Sequence, residues 1–313
     1  MEQFTSLVSS RGILKSCALH NRQPVSSSPL VDASLIQATP GVPSVYVCTD
    51  ALAVFALETL PRIEQPFVLV TGDSDRPVDE RLLRDPHVER ILGSSLLRGW
   101  FAQNLCADFP GLHPLPIGLD YHTMTERTGF WGLGTISPMA QEHQLFGILA
   151  GARSFEKRYV AAYCNWHFQI DRGDRRECMD GVEKAACFFE PNPVPRKTTW
   201  ERQAEMMFVL SPSGGGMDCH RTWEALALGC VPVVRDGPLR RVLEGLPCIF
   251  VNDWREVTRK FLLEQAQVFA GGKYDFSGLF RETWMRRIRG EGESSGMQSN
   301  LCEHRQHLTG NIS

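Results

Sequence analysis

The densest chemistry in the chain lies in FVLSPSGGGMDCHRTWEALALGCVPVV, residues 208–234. The apolar run at 207–210 predicts a buried strand that delivers the chain to Ser211 and then to Gly214, Gly215 and Gly216. Glycines at such a turn let the backbone approach a ligand closely and adopt positive φ. A helix is predicted from Asp218 to Leu228, closed by Gly229. Its free N–H groups and the positive end of its dipole make its start an anion site. His220 and Arg221 fall in the first turn, within reach of a diphosphate. Glu224, three residues beyond Arg221, suits the diol of a ribose. The plainer reading of the same spacing is a tight strand–helix turn with an Arg221–Glu224 surface ion pair. Neither GxGxxG nor GxxxxGK[ST] occurs here, which counts against a dinucleotide fingerprint and a P-loop.

Three further groups follow predicted strands. Asp73 and Asp75 follow the strand at 67–71, Asp120 and His122 follow the extended stretch at 113–119, and Asn165 and His167 follow the strand at 158–164. Ligands in open α/β sheets gather at the carboxyl ends of strands, where a carboxylate or imidazole can accept a proton. The plainer role for any one of them is a cap or a turn. Asp73-Ser74-Asp75 also spells DxD, a pattern that can hold Mg²⁺ or Mn²⁺ against a diphosphate. That scheme gives the glycine-rich segment nothing to do. Asp73 is therefore read as the base, with Asp120 and His122 next, and no metal site or resident cofactor is assigned.

These groups must be held by a repeating βα pattern. Strands are predicted at 44–48, 67–71 and 88–92, with helices at 51–60, 78–85 and 97–104 between and after them. The Gly- and Thr-rich stretch 125–138 interrupts the rhythm, and Ser137-Pro138 signals a helix start. The rhythm resumes with strands at 158–164, 187–190, 207–210, 231–234 and 248–251. Helices are predicted at 174–186, from a Thr198/Glu201 capping box to 206, at 253–269 and at 276–289. Alternating short apolar strands and helices imply parallel, helix-covered sheets.

The segment SPSGGGMDCHRTWEALALGCVPVV resembles the nucleotide-sugar-binding segment of exostosin-like glycosyltransferases, a family 47-like group, with its Ser-Pro-x-Gly turn, Arg, Glu-Ala pair and Gly-Cys-Val-Pro-Val strand. A resemblance to uncharacterised exostosin-like proteins of large viruses and microbes extends to WFAQN (100–104), PIGLDYHT (116–123) and VNDW (251–254). The resemblance implies a GT-B fold: α/β, two Rossmann-like domains facing across a cleft. It assigns 1–135 to an acceptor domain, 136–275 to a nucleotide-sugar domain and 276–289 to a helix crossing back. The polar tail 290–313 is expected to be mobile. It further implies a hexosyl- or pentosyltransferase using a nucleotide-diphosphate sugar, a UDP-sugar being the expected donor, and a glycan or glycoprotein acceptor. Ser211, Gly214, Gly215, Gly216, Asp218, His220, Arg221 and Glu224, with Asn165 and His167, would bind the donor. An inverting, metal-independent reaction is expected. The insertion Asp218-Cys219-His220 departs from the usual exostosin pattern, so sugar-specific contacts are not carried over. A binding protein without turnover and a dinucleotide-dependent α/β enzyme are the competing classes.

Composition bounds the rest. The 313 residues are 42% hydrophobic and 22% charged, enough for about two domains with ample core. With 33 basic and 36 acidic residues the formal charge is −3, which removes a strongly basic nucleic-acid binder from the default readings. No stretch approaches the ~20 apolar residues that cross a bilayer. The start lacks a signal-peptide pattern. The ten cysteines show no CxxC and sit among apolar neighbours, as buried reduced thiols do. A cytoplasmic setting is expected.

Overall fold

The computed structural model describes residues 1–129 and 134–291. The expected mobile tail beyond 291 and the middle of the Gly/Thr-rich stretch, 130–133, lie outside the described residues. The chain builds two parallel sheets. The first holds β1 (Ser44–Cys48), β2 (Phe67–Gly72), β3 (Leu97–Ala102) and β4 (Leu112–Pro114), in sequence order across the sheet. The second holds β5 (Tyr159–Cys164), β6 (Cys187–Phe189), β7 (Met206–Leu210), β8 (Val231–Arg235) and β9 (Ile249–Val251), in the order β6-β5-β7-β8-β9. SVYVC and MMFVL are buried at all five positions, as strands covered by helices on both faces must be.

The order of the second sheet creates a switch point. From β5 the chain moves outward to β6, then crosses to the other side of β5 to form β7. Crevices open at the carboxyl ends of such a strand pair, because the two connections leave in opposite directions. Asn165 follows β5 and Ser211 follows β7 at this place.

One hydrophobic cluster lies within the first half, around Val47, Phe55, Leu69 and Trp100. Another lies within the second, around Phe155, Phe208, Trp254 and Leu262. A third runs between them and joins Tyr46, Val70 and Tyr121 to Val209, Trp223 and Trp284. The two sheets thus face each other across a shared apolar seam, which is the GT-B arrangement. The closing helix Arg281–Arg289 buries Trp284, Met285 and Ile288 and lies against the N-terminal segment. There Arg281 N–H donates to the Ser6 carbonyl, and Arg281 Nη1 donates to Ser16 Oγ.

Three local expectations are corrected. Residues 88–92 belong to the helix Pro86–Leu92, not to a strand, because Asp85 accepts from His87 N–H as N-cap and Pro86 supplies the first helical φ. Residues 97–102 form β3 instead of a helix, since Gly99, Trp100, Phe101 and Ala102 are buried together as a central strand requires. Thr198 caps nothing: the helix starts two residues earlier, at Arg196 after Pro195, and Thr198 lies inside it.

Candidate active site

Asp73 sits immediately past β2 with φ +53°, a left-handed conformation that costs a non-glycine residue energy and persists only where its surroundings impose it. Those surroundings are visible. A Cβ on Gly72 would come within 2.2 Å of Gln103 Oε1 and 2.5 Å of the Tyr46 hydroxyl, so only glycine fits there. Asp73 N–H donates to the same Gln103 Oε1 at 3.0 Å. The Asp73 carboxylate accepts from Ser26 Oγ at 2.7 Å and faces Arg11 Nε at 3.7 Å. Burial pushes its pKa up, while Arg11 and the Ser26 hydrogen bond oppose the rise.

Asp73, Ser74, Asp75, His122 and His220 line one cavity of about 130 Å³ that opens to solvent, together with serines from the N-terminal segment. Residues of both halves therefore meet in it. His220 opens the helix His220–Ala227 that follows the glycine-rich turn, and its Nδ1 lies 2.7 Å from the Gly118 carbonyl of the first half. His122 stands 6.3 Å from His220, ring centre to ring centre. Burial lowers the His122 pKa to about 3, so the imidazole is neutral at ordinary pH, and its Nδ1 is 3.1 Å from Asp120 Oδ1. Asp120 is held well below the usual carboxylate range: burial works against the charge, but His220, His122 and Arg196 outweigh it. Asp120 also accepts from Thr123 N–H and Oγ1 just before the helix His122–Glu126.

The donor-side residues divide into three groups. Gly215 lies against Asp75 of the opposite half, for a Cβ there would fall 1.9 Å from Asp75 Oδ2. Gly216 lies likewise against Asn104, and Gly214 against Arg175. Arg221 Nη1 donates to the Pro212 carbonyl at 3.1 Å and points at Ser211 Oγ at 3.4 Å. Glu224 does not pair with Arg221; it accepts from the buried Arg196, which also donates to the Asp120 carbonyl. Asp218 is a latch between the halves: Oδ2 accepts from Ile117 N–H at 2.8 Å, and both oxygens face Trp223 Nε1. Burial raises its pKa to about 6. Asn165 and His167 stay beside β5 and do not line the cavity. His167 packs on Phe168 and Phe189, with Nδ1 3.6 Å from Cys164 Sγ, and burial lowers its pKa.

Arg11, Ser26, Arg175 and Arg196 carry no strand-end signal in the sequence, and Asn104, two residues past β3, was hidden by the helix expected at 97–104. Arg11 lies in a five-residue helix capped by Ser9, within a stretch that reads as Ser- and Pro-rich. Among the described residues, no three His, Cys, Asp or Glu side chains converge as a metal-binding group. Asp73 Oδ2 faces the Arg11 guanidinium, and Oδ1 accepts from Ser26. No helix among the described residues is long and apolar enough to cross a membrane.

Fold and site together define a two-sheet α/β protein with a mixed carboxylate–histidine cleft between its halves. No family model matches the chain. It is similar to Ribitol-5-phosphate xylosyltransferase 1 of Danio rerio, with 27% identity over 153 residues, covering 41% of this chain and 34% of that protein. The similarity thus spans about a third of the relative's length. Among solved structures, the chain is similar to an alpha1,3-fucosyltransferase, at TM-score 0.34 and 9% identity over 86% of this chain and 94% of that one. It is also similar to AviGT4, a glycosyltransferase involved in avilamycin A biosynthesis, at TM-score 0.24 and 14% identity over 84% and 90%. At those TM-scores neither structure bears on the chemistry.

Proposed function

We propose that this protein is a glycosyltransferase that moves a hexosyl or pentosyl group from a nucleotide-diphosphate sugar, a UDP-sugar first, to a hydroxyl of a glycan acceptor. One observation carries the proposal. The cavity gathers Asp73 and His122 from the first half and His220 from the start of the helix behind the glycine-rich turn. The partial match to a xylosyltransferase supports a sugar donor and adds a pentose to the candidates. The kinship with exostosin-like enzymes belongs to the same proposal and rests on segment 208–234.

In this reading the acceptor hydroxyl attacks the anomeric carbon on the face opposite the diphosphate, so the configuration inverts. The new C–O bond forms as the bond to the diphosphate oxygen breaks, and the diphosphate leaves with the electron pair. Asp73 takes the hydroxyl proton. Its burial raises its basicity, while Arg11 and Ser26 keep the carboxylate ionised and aimed. Arg221 and the start of the helix behind the turn meet the charge on the leaving group without a metal.

A second base deserves a test, because His122 is neutral, lines the same cavity and has an anionic Asp120 beside Nδ1. Titrating the protein with UDP, GDP and NAD separates the classes. Binding of a nucleotide diphosphate with sugar-dependent turnover supports the transferase. Binding without turnover points to a sugar-nucleotide-binding protein. Preference for NAD would overturn the proposal.

A further inference from the structure

The loop before the helix Arg175–Gly181 is locked onto the glycine-rich turn. Asp174 accepts from Ser213 N–H and Oγ, each at 2.7 Å, and Ser213 Oγ lies 3.0 Å from Asp174 N–H. Gly173, at φ +53°, presses so closely on Ser213 that a Cβ would fall 2.4 Å from its Oγ. This lock delivers Arg175 to the turn. Its Nη2 lies 3.1 Å from the Cβ position of Gly214, so a side chain at 214 would crowd the guanidinium.

Arg175 is only 9% exposed, yet its charge is not answered. Nη1 donates to the Gln169 carbonyl at 3.1 Å, and Nε is buried with no hydrogen-bond partner. Burial, then Arg221, push its pKa down to about 10, and Arg172 acts in the same sense. Among the described residues neither Arg175 nor Arg221 forms an ion pair with a carboxylate. Two guanidiniums therefore stand along one turn, Arg221 at its start by Ser211 and Pro212, Arg175 over Gly214. A protein interior tolerates such a pair badly unless an anion completes it.

We propose that Arg175 and Arg221 form a two-point clamp for a diphosphate, and that Arg175 is the contact that distinguishes two linked phosphates from one. Two cations spaced along one turn match two phosphates, whereas a single phosphate engages only one of them. This rests on the reading of 211–216 as the phosphate turn, and it concerns binding, not transfer.

Inorganic pyrophosphate, inorganic phosphate and uridine serve as probes in calorimetry with the full chain. Wild type is expected to bind pyrophosphate in preference to phosphate. Arg175→Met should weaken pyrophosphate at least about tenfold and leave uridine unchanged. Arg175→Lys should recover only part, since an ammonium lacks the planar fork. Thermal unfolding provides the control for a purely structural role. Without anion, Arg175→Met should melt at or above the wild-type temperature, because an uncompensated buried charge is gone; with pyrophosphate, only wild type should gain stability. Wild type indifferent to pyrophosphate, an unchanged affinity in Arg175→Met, or a lowered melting temperature that is the same with and without pyrophosphate would overturn the clamp. Arg175-dependent pyrophosphate binding in a protein that transfers no sugar would support the clamp and refute the transferase reading alone.

Discussion

Asp218→Asn tests the latch between the two halves. Asp218 is 3% exposed, and burial lifts its pKa from 3.8 to about 6 despite hydrogen bonds from Ile117 and Trp223. The folded protein therefore holds a proton on Asp218 in a window where the unfolded chain has lost it. The sign follows: this residue's contribution to stability is fully present below about pH 4 and is lost as pH rises through about 6. The gap between about 6 and 3.8 corresponds to about 3 kcal/mol. Asparagine cannot titrate. Its fixed cost, from one oxygen replaced by an amide facing Trp223 Nε1, is the same at every pH and cancels from the slope. Urea unfolding of both proteins, followed by tryptophan fluorescence from about pH 4 to pH 7, isolates the titration. The stability of Asp218→Asn relative to wild type should climb by about 2 kcal/mol across that range. A flat difference would show that Asp218 titrates normally and that its place in the seam is wrongly assigned.

Other outcomes follow from the same geometry. Asp73→Asn should leave nucleotide binding intact and cut transfer by ~100-fold or more, the scale of general-base catalysis; near-normal transfer would move the base to His122. Arg196→Met leaves Glu224 as a buried charge without its guanidinium, so it should cost about 3–5 kcal/mol in denaturant unfolding, and adding Glu224→Gln should restore part of the loss. Gly118→Ala places a Cβ 2.2 Å from the Val8 carbonyl at φ +66°, so a drop of at least about 2 kcal/mol in the same assay is expected. Asp75→Ala removes a carboxylate standing against Gly215 and should tighten pyrophosphate binding in EDTA; weaker binding that appears only with Mg²⁺ would favour the DxD reading.

The second sheet and the first two strands of the first were legible because strands of helix-covered parallel sheets are continuous apolar runs, SVYVC, FVLVT and MFVL among them. The failure at 86–102 has a local cause. VERIL is apolar at its ends, and LRGWFA carries a charge and a glycine, so periodicity favoured the wrong assignment for each. The Asp85-Pro86 start signal outranked it. On the donor side the glycine-rich turn was legible because its chemistry is local: a strand, three glycines and a helix start lie within a dozen residues. Arg11, Arg175 and Arg196 were not, because each reaches its partners through tertiary packing. Arg196 meets Glu224 and the Asp120 carbonyl from the start of a helix that sequence spacing cannot place against them. The same packing explains why Glu224, placed on a ribose by spacing, engages an arginine.

The central claim is that the cleft transfers a sugar with Asp73 as base and no metal. Its most direct test is a screen of UDP- and GDP-sugars, pentoses included, against glycan acceptors, following acceptor-dependent nucleotide release and the glycosylated product in wild type and Asp73→Asn, with and without EDTA. The account predicts product from at least one donor, no loss in EDTA, and a drop of ~100-fold or more in Asp73→Asn. Product formation that EDTA abolishes, or that Asp73→Asn leaves intact, would contradict it.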